Sequence, residues 1–523
     1  MHTASDATPY VFPASQGYRG NDGSWSTFIV RAGQPAQDFE VLPSTSGVNV
    51  IVPLIEGCVN SPDNITAPAN CGSLRGAFPS NNHQSSGFMT NSSSTWRNIG
   101  IFDLNLGTQY DIDINARYGY ETIGLAVEHS GGPTLDGQVV AGIARKQFFL
   151  GVFPLGIKPT NFSTFDDPQP SYLTGLKDKG IIPGLGFGYT AGAGYRYRGI
   201  TASMVLGGYD ASRYDMTNSK TFQFGYDDNA DFTIGLQNVI GERTLHGTVT
   251  LLNDGIVVNI DSTLPYLWLP EEVCDTFQKA FGLSYDENTQ LYLVDDTIHN
   301  QLKQLNPTVS LTLGDGTTAG TGQNNTVVIS LPYAAFDLQA SWPLTKNTTN
   351  YFPLKRATNS TQYTLGRAFL QEAYLSVDYE RRIFNVSQAT FDSPMPAQQV
   401  VSILPQDAAD TSPPSIPAFS DAAKAGVAVG ASIAGLMVSL LVFFCCRWYR
   451  RRHVASRGMV KASSRESSPY AKEAASTDIF EFHSNSRPCE ADSDGPQVYE
   501  LPGCHSLPEM PQKSRSRGAE GTD

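Results

Sequence analysis

Two short polar turns carry the side chains most able to do chemistry, a carboxylate in one and a hydroxyl in the other. Ser44-Thr45-Ser46 lies within residues 33–53, GQPAQDFEVLPSTSGVNVIVP, and Asp261-Ser262-Thr263 lies within residues 256–270, IVVNIDSTLPYLWLP. Each turn stands between two apolar, strand-like runs, and the second run of each ends in Pro. An internal repeat of this kind predicts two related lobes. The full sequence contains neither an HExxH zinc motif nor a phosphate-binding P-loop.

Around these turns the sequence resembles the pepsin-like aspartic peptidases, bilobal β proteins in which each lobe supplies one Asp from an Asp-Thr/Ser-Gly turn. The first segment aligns without gaps to that family's GTPxQ…DTGSSxLWVP stretch, and the second matches its IVDTGTS segment. Three further stretches agree in order: YGYETIGL at residues 118–125, LGGYD at 206–210 and GRAFLQEAYLSVD at 366–378. They look like the strand after the flap, the lobe linker and the closing GDxFLRxxYxVFD. The resemblance covers roughly residues 24–390 and implies the bilobal fold.

The resemblance also implies a mechanism in which two carboxylates share one proton, one activating water and the other protonating the carbonyl. This sequence departs from that requirement. Ser44 occupies the first Asp position, and a hydroxyl cannot replace a carboxylate. Asp261 is retained at the second position, but Thr263 stands where the turn Gly belongs, and its branched side chain should crowd the neighbouring backbone.

Other family features are also altered in the N-terminal lobe. The flap's Tyr-Gly hairpin is not recognisable in residues 104–117, which leaves Tyr110 as a weak candidate for the flap tyrosine. Pro154 falls near a position where the resemblance implies a supporting Gly, whereas Thr364-Leu365-Gly366 keeps the corresponding C-lobe pattern.

Three hypotheses follow for function. The first is a pseudo-peptidase that keeps the fold and a peptide-accepting cleft without efficient hydrolysis. The second is a working acid endopeptidase with an unusual site, in which Asp38 could replace the missing carboxylate. The third is a surface protein that binds wall ligands or signals through its tail. Asp261 itself could bind a ligand amine or peptide, or simply be satisfied by its Ser and Thr neighbours.

Composition and pattern predict an all-β body with a few small helices. Only 16% of residues are charged, 80 are Gly or Pro, and the net charge of -14 argues against a nucleic-acid partner. Helical periodicity is best at residues 271–281 and 298–305, and residues 248–261 (TVTLLNDGIVVNID) predict a hairpin. No His/Cys cluster has zinc spacing, so we expect neither a metal nor a cofactor.

A membrane anchor is expected near the C-terminus. Residues 425–446 (AGVAVGASIAGLMVSLLVFFCC) carry no charge and are followed at once by Arg447 and Arg450–Arg452, which predicts a single span with the tail in the cytoplasm. The large domain would then face outside the plasma membrane or the lumen of a secretory-pathway membrane. Together with the resemblance, this looks like the membrane-anchored members of filamentous fungi. The N-terminus carries no apolar secretory run, so we expect a start site that omits one.

Seven N-x-S/T sequons agree with this orientation because all precede the span: Asn64, Asn91, Asn161, Asn324, Asn347, Asn359 and Asn385. Cys58 and Cys71 could close a small disulfide loop, while Cys274 is interpreted as a buried thiol. Gly426, Gly430 and Ala434 form a small-residue face that permits a dimer of spans.

The predicted organisation has six parts: an irregular N-terminal segment at 1–20, an N-terminal lobe at 21–210, a C-terminal lobe at 211–392, a Pro/Ser-rich stalk at 393–424, the span at 425–446, and a disordered tail at 447–523.

Overall fold

β-Strands make up most of the structure, as the alternating apolar pattern predicts. The computed structural model describes residues 7–59, 62, 65–79, 84–162, 166–227, 230–318 and 326–406, all within one unit of the chain. The predicted span, tail and most of the stalk lie outside these residues. Within them no helix is long and apolar enough to cross a membrane.

The first half of the described chain contains fourteen strands: β1 (Tyr10–Phe12), β2 (Ala14–Arg19), β3 (Trp25–Ala32), β4 (Gln37–Ser44), β5 (Val50–Pro53), β6 (Arg97–Asp103), β7 (Asn115–Leu125), β8 (Thr134–Ile143), β9 (Gly151–Pro154), β10 (Gly186–Thr190), β11 (Ser203–Leu206), β12 (Gly208–Asp210), β13 (Tyr214–Gln223) and β14 (Thr233–Thr244). The second half contains fourteen more: β15 (Gly247–Leu252), β16 (Ile256–Ile260), β17 (Leu267–Leu269), β18 (Ser284–Asp286), β19 (Leu291–Leu293), β20 (Thr308–Gly314), β21 (Thr326–Pro332), β22 (Leu338–Ala340), β23 (Thr349–Phe352), β24 (Leu354–Arg356), β25 (Thr364–Leu365), β26 (Ala373–Asp378), β27 (Ile383–Ala389) and β28 (Val400–Ser402).

The described part of the chain also contains five short α-helices: α1 (Glu56–Val59), α2 (Cys71–Leu74), α3 (Tyr172–Asp178), α4 (Glu271–Phe281) and α5 (Asp296–Leu305). The two predicted helices are confirmed as α4 and α5. Helix α4 begins with two acidic residues, which favour a helix N-terminus, and ends at Gly282 in the left-handed conformation. Its apolar face, including Phe277 and Phe281, is buried.

Two large sheets form the lobes. The N-lobe sheet has eight strands in the order β2-β3-β4-β9-β5-β8-β7-β6. The C-lobe sheet runs β21-β20-β14-β16-β25-β17-β24, with β15 paired to β14. A third sheet, β1-β11-β10-β26-β27-β13, combines strands from the N-terminal and C-terminal halves of the described chain. A smaller four-stranded sheet, β18-β19-β23-β22, completes the C-terminal half. This is the predicted all-β architecture.

Three local predictions were wrong. Residues 10–12 and 14–19 are strands and not irregular, because β1 pairs with β11 and β2 pairs with β3. The stalk does not begin at 393, since β28 pairs with β12 and the apolar side chain of Ile403 is buried. The strands β15 and β16 both exist, but each pairs with β14 and not with the other, so the Asn-Asp-Gly between them is a corner.

Candidate functional site

The two predicted turns occupy equivalent places in their lobes. Ser44 ends β4, which runs parallel to β9, and Asp261 follows β16, which runs parallel to β25. The next strand of each lobe, β5 or β17, is antiparallel to that same partner and parallel to a further strand. The repeat in the sequence is therefore a repeat of strand pairing, and it brings both turns to the junction of the lobes.

Reciprocal hydrogen bonds lock the turns together. The Thr45 N–H donates to Ser262 Oγ (3.0 Å), and the Ser262 N–H donates to Thr45 Oγ1 (3.1 Å). Ser262 Oγ donates in turn to the Pro43 carbonyl (2.9 Å). All these groups are buried, so the bonds are made away from water and fix the relative position of the lobes at this point.

Asp261 is 1% exposed, and both its carboxylate oxygens are occupied by hydrogen bonds. Oδ1 accepts from the Thr263 N–H (3.0 Å), the Thr263 hydroxyl (2.6 Å) and the Thr45 hydroxyl (3.3 Å). Oδ2 accepts from the Tyr110 hydroxyl (3.3 Å) and from Gln109 Nε2 (3.4 Å). Five donors thus surround one buried carboxylate. Thr263 and Thr45 supply three of these donors, whereas the Ser262 hydroxyl donates to the Pro43 carbonyl, so the expected satisfaction of Asp261 by its neighbours holds for the threonines and not for the serine.

Thr263 fills the space between the two turns. Its Oγ1 lies 2.6 Å from Asp261 Oδ1 and 2.6 Å from Ser44 Oγ, which accepts from the Gly47 N–H (2.8 Å). A consistent chain of donors follows, from Gly47 to Ser44, to Thr263 and to the carboxylate. The sequence predicts crowding of the neighbouring backbone by the branched side chain of Thr263, but what the structure shows is a bridging hydroxyl. This hydroxyl takes the central position between Ser44 and Asp261.

Tyr110, the weak candidate, lies directly on Asp261. It belongs to a short 3₁₀ turn, Thr108–Tyr110, in the loop that joins β6 to β7, and it stacks on Trp268 with ring centroids 5.0 Å apart. Its hydroxyl also bonds to Thr364 Oγ1 (2.9 Å). Burial, and then the charge of Asp261, hold the pKa of Tyr110 well above its usual value, so it stays a neutral donor. Gln109 and Trp268 contribute to the site without any local motif that marks them.

Asp38 does not reach the site. It lies in β4 six residues before Ser44, which in an extended strand is a distance of about 20 Å. Its strand position pairs with Arg31, and burial raises the pKa of its carboxyl. Pro154 is directly in register with Ser44. In the other lobe Gly366 has no room for a side chain, because a Cβ atom there would collide with the Tyr266 carbonyl.

A cavity of about 220 Å³ adjoins this cluster, with Ser44, Thr263 and Tyr110 on its wall. Lys355 and Arg367 also line it. Arg367 is almost fully buried and donates to the Ser262 and Thr263 carbonyls, both at 3.2 Å. The backbone of the C-lobe turn is therefore also fixed by hydrogen bonds from a buried cation.

The cysteine predictions agree with the structure. Cys58 and Cys71 form a disulfide. Cys274 is a buried free thiol that contacts the Leu269 and Lys355 carbonyls, and burial raises its pKa to about 12.

The sequons divide by position. Asn91, Asn161, Asn347 and Asn359 are exposed, Asn385 is partly buried in β27 with its Nδ2 bonded to Ser376, and Asn64 and Asn324 lie outside the described residues. Gly426, Gly430 and Ala434 of the predicted span also lie outside them.

The comparison with known protein families agrees with the geometry. No curated protein matches the chain significantly. The family model of the eukaryotic aspartyl protease matches residues 28–390, well over half of the chain and the same region that contains the two lobes. The chain therefore belongs to the eukaryotic aspartyl protease family.

Proposed function

We propose that this protein is a pseudo-peptidase, a family member that keeps the cleft as a binding surface and does not hydrolyse peptides efficiently. The observation that carries the proposal is the Thr263 hydroxyl, which lies 2.6 Å from both Ser44 Oγ and Asp261 Oδ1. In a two-carboxylate mechanism that central position belongs to the attacking water. Here it belongs to a side chain.

The charge at the site supports the same proposal. A carboxylate dyad needs one protonated and one ionised group, so that one member acts as acid while the other acts as base. Ser44 supplies neither form near neutral or acid pH. Among the described residues Asp261 bonds to no second carboxyl group for this exchange. Its hydrogen-bond partners are the neutral donors Thr45, Thr263, Tyr110 and Gln109.

Proteolysis at acid pH tests this function. Full-length protein in nanodiscs is incubated with a mixed peptide library from pH 3 to pH 6, with and without pepstatin, beside the Asp261→Asn variant. We expect no pepstatin-sensitive cleavage from either protein. Cleavage by the wild type that pepstatin blocks and Asp261→Asn abolishes would overturn the proposal and favour the endopeptidase hypothesis.

We also propose that the protein is a single-pass membrane glycoprotein with the aspartyl protease domain outside the cytoplasm. The support is the uncharged run at 425–446, the arginines that follow it, and the position of every sequon before it. Protease treatment of sealed cells should remove the lobes and spare a tail epitope, and a glycosidase should shift the domain's mobility. A tail cut from outside would contradict this topology.

A further inference from the structure

The cavity beside the site has a cation on its wall, Lys355, that no acidic side chain of the described residues neutralises. Lys355 is 9% exposed, and its Nζ donates to the Thr289 carbonyl (3.1 Å) and lies 5.0 Å from the centre of the Tyr266 ring. Among the residues that the structure describes, no carboxylate forms an ion pair with it. A buried ammonium without a counter-ion is costly, because it has left water for a poorer environment.

The other charges on the cavity wall do not offset it. Arg367 and Asp22 pair with each other at 3.2 Å, so together they contribute no net charge. Tyr110 and Tyr266 also line the cavity, and burial raises the pKa of each far enough to keep both neutral. The wall therefore carries one excess positive charge when Lys355 is protonated.

The remaining walls are apolar and large enough for a small ligand. Phe149, Leu264 and Leu42 line the cavity together with the two tyrosine rings. A dry cavity of about 150 Å³ is known to hold benzene, and this one measures about 220 Å³. It has room for a ring or a short chain in addition to a charged head.

We propose that this cavity binds ligands that carry a carboxylate on an apolar stem, with Lys355 as the ionic partner and the apolar walls covering the stem. The inference rests on the proposed function, since it assigns a ligand to a cleft that holds ligands without cleaving them. The same chemistry comes from two sources, a free organic acid or the acidic side chain of a peptide.

Burial lowers the pKa of the Lys355 ammonium from 10.5 to about 8. A bound carboxylate favours the ammonium form, so binding above that pH must also take up a proton. Affinity should be constant between about pH 6 and pH 7.5 and should then fall by up to about tenfold for each further pH unit.

Calorimetry on the full-length protein in nanodiscs tests the inference, with empty nanodiscs as the blank. The probes are 3-phenylpropionate and its uncharged analogue 3-phenylpropionamide, at pH 6.5. We expect the acid to bind at least about tenfold more tightly than the amide, as the loss of one buried ion pair implies. Equal affinity for the two probes would overturn the inference.

Two variants locate the charge. Lys355→Met keeps the length of the side chain and should remove the preference for the acid, whereas Lys279→Met changes an exposed lysine on α4 and should leave it unchanged. An acid preference that survives in Lys355→Met would overturn the inference. If that variant fails to fold, the affinity of the wild type for 3-phenylpropionate is compared at pH 7 and pH 9.5. An unchanged affinity excludes Lys355 as the ionic partner of the carboxylate.

A pair of hexapeptides that differ only as Glu and Gln separates the two sources. Tighter binding of the Glu peptide than of 3-phenylpropionate indicates a peptide side chain, and the reverse order indicates a free acid. Mass spectrometry of the same samples reports cleavage separately. Cut peptide with intact acid selectivity would refute the pseudo-peptidase alone, and intact peptide without selectivity would refute the cavity assignment alone.

Discussion

The N-lobe and C-lobe halves of the site share a frame and differ in chemistry. In each lobe a strand leads into a polar turn, a parallel partner supports it, and the next strand returns antiparallel to that partner. The first residue of the turn accepts a backbone N–H from within its own turn, at Ser44 from Gly47 and at Asp261 from Thr263. A hydroxyl and a carboxylate therefore both satisfy the turn.

The difference between Ser44 and Asp261 shows that the first residue of the turn has a structural role and a catalytic role, and that these are separable. Accepting a backbone N–H requires only an oxygen with a lone pair, which serine has. Sharing a proton with a second carboxylate requires an ionisable group, which serine lacks. The turn can thus lose catalysis without losing its shape, and the Thr45 and Ser262 cross-bonds keep the lobes joined.

The largest effect is expected from a variant in which the two turns carry the same chemical groups. The double variant Ser44→Asp with Thr263→Gly supplies a second carboxylate and removes the hydroxyl between the turns. We expect pepstatin-sensitive cleavage at acid pH to appear where the wild type shows none, with a gain of at least about a hundredfold over the detection limit, the size typical of acid–base catalysis.

The single variant Ser44→Asp serves as the control. It adds a carboxylate while Thr263 still fills the centre, so it should stay inactive and be less stable at pH 7 than at pH 4, where one of two adjacent carboxyls can hold a proton. A folded double variant without activity would show that Tyr110 and Gln109, which cover Asp261, are sufficient to block the site.

The second prediction compares truncation of each half. Asp261→Ala leaves several buried donors unpaired and should lower the free energy of unfolding by about 3–5 kcal/mol. Ser44→Ala removes one hydroxyl from the chain of donors and should cost about 1–2 kcal/mol. Urea unfolding at pH 7 measures both, with the exposed Asp392→Ala as a control expected within about 0.5 kcal/mol of wild type. Equal losses for the two site variants would contradict the asymmetry.

Sequence alone predicts the frame of the site well, because the frame is encoded locally. The repeat of strand, polar turn and strand located both turns, and the amphipathic spacing located α4 within its observed bounds. The corner between β15 and β16 shows the limit. Asn253-Asp254-Gly255 has the composition of a tight turn, yet both strands pair with β14, a choice made by the long central strand and not by the turn.

The contacts that cover Asp261 and form the cavity could not be predicted in the same way. Tyr110 lies 151 residues from Asp261 in the chain, and its contact depends on how the loop between β6 and β7 folds over the other lobe. The cavity likewise combines Lys355 with residues from both lobes. No local pattern marks such a residue, since a lysine in a short strand is indistinguishable by sequence from one on the surface.

The third prediction compares how much the cysteines of the two halves contribute to stability. Cys58–Cys71 closes a loop with a sequence separation of 13 in the N-terminal half, whereas Cys274 is a free buried thiol in the C-terminal half. Replacing both disulfide cysteines by Ser should cost about 3 kcal/mol, because the unfolded chain regains the freedom of that loop. Cys274→Ala should cost about 1 kcal/mol as a small cavity. Urea unfolding under oxidising conditions distinguishes them, and a larger loss at Cys274 would reverse the comparison.

The only stabilising effect is expected at Lys355. The pKa of its ammonium is lowered from 10.5 to about 8 in the folded protein, so the unfolded chain holds the proton more tightly and folding at pH 7 carries a cost of up to about 3 kcal/mol. This cost is fully present below pH 8 and disappears as the pH rises towards 10.5. Lys355→Met should therefore stabilise the protein by about 1–2 kcal/mol at pH 7, after the lost contacts to Thr289 and Tyr266, and should lose that advantage by pH 10.

Unfolding midpoints of the variant and the wild type, measured in parallel at pH 7 and pH 10, check both the sign and the pH window. The Lys279→Met control should show no difference at either pH, because its side chain is exposed. A Lys355→Met protein that is less stable than wild type at pH 7 would mean that the ammonium is already neutralised inside the cavity. The cavity wall would then carry no excess positive charge, and the charge difference between the two halves of the site would be limited to the carboxylate of Asp261.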